Sequence, residues 1–392
     1  MTTSPIAAGG PRLGMTTGNT LKLGLFGANC SGGRALTKVP ERWKADWDET
    51  AAMARMADAC GIDFLLPIGR WKGYGGETDW QGTSFETLTW AAGLLAITQH
   101  ITVFGTVHVP LFHPISAAKQ MVTADHIGHG RFGLNIVAGW NEEEFAMFGV
   151  DQKQRPERYE EAQEWIDAVS QIWTRDDFDY VGKHYQLREV RVKPKPYGGT
   201  RPVIMNAGAS GDGQAFAIRN CDAYFTGVRM SSFDESSGVM IPAVDQARQH
   251  VEAVRAKAAA IGREIGVFTR AEITCKPTQQ EAAEYYRYWV EEMADWDAVD
   301  HQMKISSRTQ ITPDMPGYIE ARKQHLHGFP LVGDPDRVAS MLATLSEAGF
   351  DGVGLSFVNY LDELPYFRDE VLPRLERMGL RSMPAGYSRA FP

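Results

Sequence analysis

Two stretches of this chain hold residue types that could bind and activate a small molecule. The first is Val203-Ile204-Met205-Asn206-Ala207-Gly208-Ala209-Ser210-Gly211-Asp212-Gly213. An apolar run passes into a loop of small residues and then into a helix. Glycines let backbone N–H groups approach an anion, the first helical turn adds unpaired N–H groups, and Ser210 adds a hydroxyl. That chemistry suits a phosphate. The pattern is neither a Walker loop nor a clean GxGxxG, and a plain strand-to-helix turn would use some of the same glycines. The second stretch is Phe132-Gly133-Leu134-Asn135-Ile136-Val137-Ala138-Gly139-Trp140. Asparagine is unfavourable inside a strand, so the Asn135 amide needs partners there. A polar ligand can supply them, and so can a neighbouring backbone. Trp140 lies where that strand ends, facing a site or filling the core.

Other residues qualify by location. Arg70, Trp71 and Lys72 precede Gly73-Tyr74-Gly75-Gly76, a basic, aromatic loop suited to a planar anion or to plain solvation. Arg158-Tyr159 open a long helix. His108 and His113 follow the third strand and are candidate substrate contacts, as is Arg229, with Met230 and Ser231, after the sixth. His325-Leu326-His327 has a ligand-like spacing, but no carboxylate–histidine series follows it, so no metal site is expected. There is no GxSxG elbow. Cys30, Cys60, Cys221 and Cys275 are far apart and form no CxxC pair, which reads as small buried hydrophobes and reduced thiols in a cytoplasmic protein.

The elements that must position these residues alternate. Strand signals fall at 21–25, 64–66, 101–107, 132–137, 203–205, 223–225, 267–274 and 352–357. Helical spacing covers 48–60, 85–98, 115–127, 155–173, 214–219, 244–259, 334–348 and 362–378. Eight strands alternating with helices predict an α/β fold, a (β/α)8 barrel, over a doubly wound open sheet. Residues 174–202 read as a hairpin followed by an extended Pro-containing stretch. Residues 276–330 read as an insertion after strand seven, with an extra helix at 280–293; it would stand at the barrel mouth as a lid, a surface excursion or a dimer contact. Residues 1–20 read as a flexible lead, 21–380 as one barrel domain and 381–392 as a tail.

Composition agrees with an ordinary globule. The chain has 392 residues, 43% hydrophobic and 23% charged, with a net charge of −9. An acidic balance argues against a broad nucleic-acid surface. No membrane-length apolar run occurs, and residues 1–20 lack a signal-peptide pattern, so no membrane partner is expected.

Taken together, LLPIGRWKGYGGETDW, HGRFGLNIVAGWNEEEFAMFG, ERYEEAQEWIDAVSQIW, the VKPKP tract and VIMNAGASGDGQAF resemble the bacterial luciferase-like flavin-dependent monooxygenases, nearest the group of the pyrimidine oxygenase and dimethylsulfone monooxygenase. The likeness spans about residues 20–378. It implies FMN, used as FMNH2 with O2 and supplied by a separate NAD(P)H-driven flavin reductase. It places FMN contacts on Gly69, Arg70, Asn135, Glu144, Arg158, Tyr159, Ser210 and the adjoining Gly211. The family's usual residue at position 69 is apolar, so glycine there departs from the pattern. The oxygen pocket falls on Leu66, Thr106, Asn135 and Trp140. The implied reaction forms a flavin-peroxide or flavin N5-oxygen adduct and cleaves a C–N or C–S bond in a small N-heterocycle or organosulfur compound. A homodimer or homotetramer is implied. A riboflavin-cleaving lyase, an F420-dependent hydride-transfer enzyme and a non-catalytic flavin-binding protein stand as alternatives.

Overall fold

The computed structural model describes residues 15, 17–227, 230–234, 239–242, 244–307 and 329–383. The strands are β1 (Lys22–Phe26), β2 (Phe64–Leu66), β3 (Thr102–His108), β4 (Phe132–Val137), β5 (Phe178–Val181), β6 (Gln186–Val190), β7 (Val203–Asn206), β8 (Ala223–Phe225), β9 (Met230–Asp234), β10 (Val239–Pro242), β11 (Gly266–Cys275), β12 (Phe329–Gly333) and β13 (Gly352–Ser356). Parallel pairing runs β11–β13–β1–β2–β3–β4–β7–β8, and β8 returns to β11. The sheet therefore closes as an eight-stranded parallel barrel, as the alternation predicts, rather than an open doubly wound sheet. The expected hairpin after the fourth strand is β5–β6, paired antiparallel.

Aromatic rings fill the barrel. Phe64 meets Phe104 edge-on at 6.1 Å and Phe268 at 5.8 Å. Glycines on the adjacent strands make the room: a Cβ on Gly24 would lie 2.2 Å from the Phe64 ring, one on Gly133 2.6 Å from Phe104, and one on Gly352 2.5 Å from Phe268. Outward residues such as Val103, Leu134, Ile204, Val267 and Leu355 pack beneath the helices. These include α1 (Trp47–Ala59), α2 (Thr87–Ile97), α3 (Pro114–Ile127), α4 (Glu142–Met147), α5 (Arg155–Thr174), α6 (Gly211–Asn220) and α7 (Val244–Ala259). None of the described helices is long and apolar enough to cross a membrane.

The insertion holds more structure than one helix. It contains α8 (Gln279–Arg287), a π-turn at Tyr288–Glu292, and α9 (Trp296–Ser307). It ends in β12, which pairs with the C-terminal half of β11 outside the barrel ring. That strand lies in HGFPLVG, where a leading His-Gly and a proline mask a short apolar run. Then α10 (Pro335–Glu347) starts with Asp334 as N-cap, as its Asp-Pro signal predicts. After β13, α11 (Tyr360–Tyr366) and α12 (Leu372–Arg377) close the chain through a π-turn.

In the lead, Met15 is 2% exposed and Thr17 and Asn19 are buried. Asn19 donates to Asp63 at 2.9 Å and Arg381 approaches the same carboxylate at 3.7 Å. The lead and the tail thus meet at the loop before β2, and neither is free where they meet. All four cysteines are buried and unpaired.

Candidate functional site

The C-terminal ends of β2, β3, β4 and β7 carry most of the predicted residues. Leu66 ends β2 among the aromatic rings of the barrel interior. Thr106 and Asn135 lie opposite each other in the β3–β4 register. The Asn135 amide donates to Thr106 Oγ1 at 3.1 Å, and that hydroxyl donates to the Pro67 carbonyl at 2.6 Å. Asn135 is 6% exposed, and its Oδ1 is buried with no hydrogen-bond partner among the described residues. A buried amide oxygen left unpaired costs about 1–3 kcal/mol, so it marks a place for a donor from outside the chain.

The glycine loop after β7 folds back on itself. Asn206 Oδ1 accepts from Gly208 N at 2.8 Å while its amide donates to the Ile136 carbonyl at 2.6 Å, which ties the loop to β4. Ser210 caps α6 and accepts from Gly213 N at 3.1 Å. Beta carbons on Gly208 and Gly213 would lie 2.7 and 2.5 Å from the Tyr159 hydroxyl. Both positions therefore require glycine, and the phenol tip is seated in the loop. Gly211 faces open space. Trp140, Arg158, Tyr159 and Ser210 line one cavity of about 410 Å³, roofed by Ile305 and Ser306 of α9. Arg158 donates to the Gly139 carbonyl. Gly139 has φ +96°, and a Cβ there would strike Phe145 at 2.2 Å, so the turn into Trp140 depends on it.

Arg70 and Glu144 pair at 2.9 Å with both side chains buried. Glu144 also accepts from Trp71 N at 2.8 Å, and Gln81 accepts from Arg70 Nε at 3.0 Å. The Arg70 guanidinium lies 4.6 Å from the Tyr74 ring and 5.5 Å from Trp140, so the pair joins the β2 loop to the cavity wall. At position 69, where the family resemblance anticipates an apolar side chain, the space is taken from the next strand. A Cβ on Gly69 would lie 2.7 Å from His108 Cε1 and 3.0 Å from Thr106 Cγ2. His108 ends β3 and is 3% exposed, with Nδ1 unpartnered among the described residues. Burial pushes its imidazole pKa down to about 4, so it stays neutral at physiological pH.

One predicted substrate contact is not brought in. His113 is exposed and caps α3, accepting from Ile115 N at 3.3 Å. Arg229 lies outside the described residues, as do His325 and His327. Among the described residues no group of three or more His, Cys, Asp or Glu side chains could hold a metal ion.

Sequence reasoning missed what secures the mouth. On α9, His301 contacts the Tyr74 carbonyl at 2.8 Å and Glu143 at 3.1 Å, and Asp295 just before it accepts from Thr78 N at 2.8 Å. The insertion is thereby strapped to the β2 loop. It also missed Arg34, Arg270 and Glu272. The one available signal was two charges two residues apart in the otherwise apolar run GVFTRAEITC.

Comparison with known proteins fits this arrangement. The luciferase-like monooxygenase profile matches residues 21–352. The chain belongs to the luciferase-like monooxygenase family. A curated relative, the FMNH2-dependent dimethylsulfone monooxygenase of Pseudomonas putida, is 28% identical over 367 residues, covering 91% of this chain and 96% of the relative. The pyrimidine monooxygenase RutA of Agrobacterium fabrum is 28% identical over 368 residues, covering 91% and 96%. The crystal structure of riboflavin lyase RcaE, with modified FMN and riboflavin, superposes with a TM-score of 0.81 at 21% identity over 94% of each chain, a likeness of fold. This luciferase-like monooxygenase therefore carries its glycine loop and its Thr106–Asn135 pair on a barrel its relatives share.

Proposed function

We propose that this luciferase-like monooxygenase binds reduced FMN in the barrel mouth and uses it with O2 to oxygenate a small organic molecule, breaking a C–N or C–S bond. The relatives named for FMNH2 dependence and for pyrimidine oxygenation support the class. The observation that carries the reading is the unpaired Asn135 Oδ1, buried in the same mouth as a glycine loop closed on Tyr159.

The residues fit such a cofactor at both ends. Ser210, the first-turn N–H groups of α6 and the Arg158 guanidinium would hold the phosphate, since a helix N-terminus and a buried arginine both favour an anion. Trp140, braced by Arg70, gives a wall for a planar ring. Asn135 offers Oδ1 to a ring N–H, and its second amide hydrogen offers a donor where negative charge develops. Thr106 fixes that amide through its own bond to Pro67. Ile305 and Ser306 stand at the edge of the cavity, and the His301 and Asp295 contacts hold α9 in place. Reduced FMN, when bound, supplies the electrons for oxygen activation that no side chain here can supply. A separate reductase would deliver it, using NAD(P)H.

Anaerobic titration tests this. Reduced FMN should bind with micromolar or tighter affinity, and Gly213→Ala should weaken it by about tenfold or more, because the added methyl displaces the Tyr159 hydroxyl. Tight binding of a reduced deazaflavin with none of reduced FMN would overturn the reading.

A further inference from the structure

The wall of the barrel across from Thr106 and Asn135 holds two arginines and a glutamate. Arg34 lies in the loop after β1 and is 8% exposed. Arg270 and Glu272 share the face of β11 that carries Phe268, whose ring packs on Phe64 inside the barrel. Phe64 packs equally on Phe104, two residues before Thr106 on β3. In the order of pairing β3 stands four strands from β11 either way round, directly opposite. Arg270 and Thr106 therefore sit one step above the same aromatic floor, on facing walls.

The two arginines are short of partners. Arg34 Nε comes only to 4.0 Å from Glu272 Oε1, beyond hydrogen-bond range, and it is buried without a hydrogen bond. Arg270 has no hydrogen bond or ion pair among the described residues. Arg201, by contrast, makes two bonds to Asp222, at 2.6 and 2.7 Å. The repulsion is felt, since the Arg34 charge and burial together pull the Arg270 guanidinium down to about 10. Arg34 is braced on the face of Trp80 at 5.6 Å, and Trp80 stacks on Tyr74 at 5.0 Å. Two like charges over one carboxylate are costly in an interior unless an anion completes the set. Guanidiniums suit planar or tetrahedral oxyanions through paired N–H donors.

We propose that Arg34 and Arg270 form an anion subsite for the substrate, so that the molecule oxygenated here carries a carboxylate, sulfonate or sulfinate group. This rests on the mouth being the reaction site, as proposed above. The phosphate loop on β7 and α6 is a separate anion site on other strands, which leaves this one to the substrate. An oxyanion gripped at Arg34 and Arg270 would set the rest of a small molecule across the floor toward Asn135.

Calorimetric titration of the full chain loaded with FMN tests this, with benzoate and benzenesulfonate as probes and benzamide and methyl phenyl sulfone as neutral counterparts. Each anion should bind about tenfold or more tighter than its neutral counterpart. Arg34→Gln and Arg270→Gln should each erase that preference, with FMN affinity held within about twofold. Arg270→Lys keeps the charge and should retain part of the preference, which separates loss of the subsite from loss of the fold. Equal binding of anions and neutral compounds overturns the proposal, as does an anion preference that survives both substitutions. A matching fall in FMN affinity overturns it too, by giving the guanidiniums to the flavin. If the unsubstituted protein binds no FMN, the flavin reading falls, and the same titration without FMN still decides the subsite.

Discussion

The two walls of the barrel mouth are built on different physical terms. The wall from β2 to β7 uses glycine clearances, a neutral amide–hydroxyl pair and one matched ion pair, Arg70–Glu144. The wall formed by the β1 loop and β11 uses charge, with two arginines over one glutamate. The first leaves the Asn135 amide oxygen and the His108 Nδ1 without hydrogen-bond partners among the described residues. The second carries two positive charges against one negative among the described residues. A site that must hold a polar cofactor and also choose a substrate can divide those tasks in this way.

Substitutions can break that contrast. The largest effect is expected at Glu144→Ala, which strands the buried Arg70 charge and should cost about 3–5 kcal/mol of stability in chemical denaturation. Its neighbour Glu143 calibrates the claim, because its 2.7 Å pair with Lys72 is exposed. Asn135→Ala comes next. It should lower turnover by about 10²–10³-fold if the amide stabilises developing charge, while reduced-FMN affinity changes less.

A pH effect follows from His108. Its pKa is lowered to about 4 in the fold, against an ordinary value of 6.5. The unfolded chain binds that proton more readily, so the stability His108 contributes is present above about pH 6.5 and is lost as pH falls toward 4. His108→Gln should flatten the stability profile across that window, as followed by thermal unfolding at stepped pH. An unchanged slope would remove His108 as the cause. The smallest effect belongs to Lys72→Ala, at about 1 kcal/mol or less, since exposed pairs contribute little.

The same contrast explains what could be read from the sequence. The barrel was legible because each strand and helix announces itself locally, by apolar period and by caps such as Asp334-Pro335. The glycine loop and Asn135 were legible for the same reason: glycine runs and a polar residue in a strand stand out within a few positions. Seating Tyr159 between Gly208 and Gly213 was not, because it needs two elements to meet. Nor was the exchange at Gly69, where His108 from the next strand fills the space. Arg34 and Arg270 lie 236 residues apart in the sequence, and only closure of the barrel sets them together. His113 looked like a site residue from its place after β3, yet a cap on α3 uses the same residue type at the same position.

The central claim is that Thr106 and Asn135 face a reduced flavin held by the loop at Ser210. Rapid mixing of the protein–FMNH2 complex with oxygen, followed by the flavin spectrum, tests it most directly. The account predicts a transient distinct from both reduced and oxidised FMN, which Asn135→Ala shortens or abolishes without preventing FMNH2 from binding. Oxidation with no transient, at the rate of free FMNH2 and unaltered by the substitution, would contradict it.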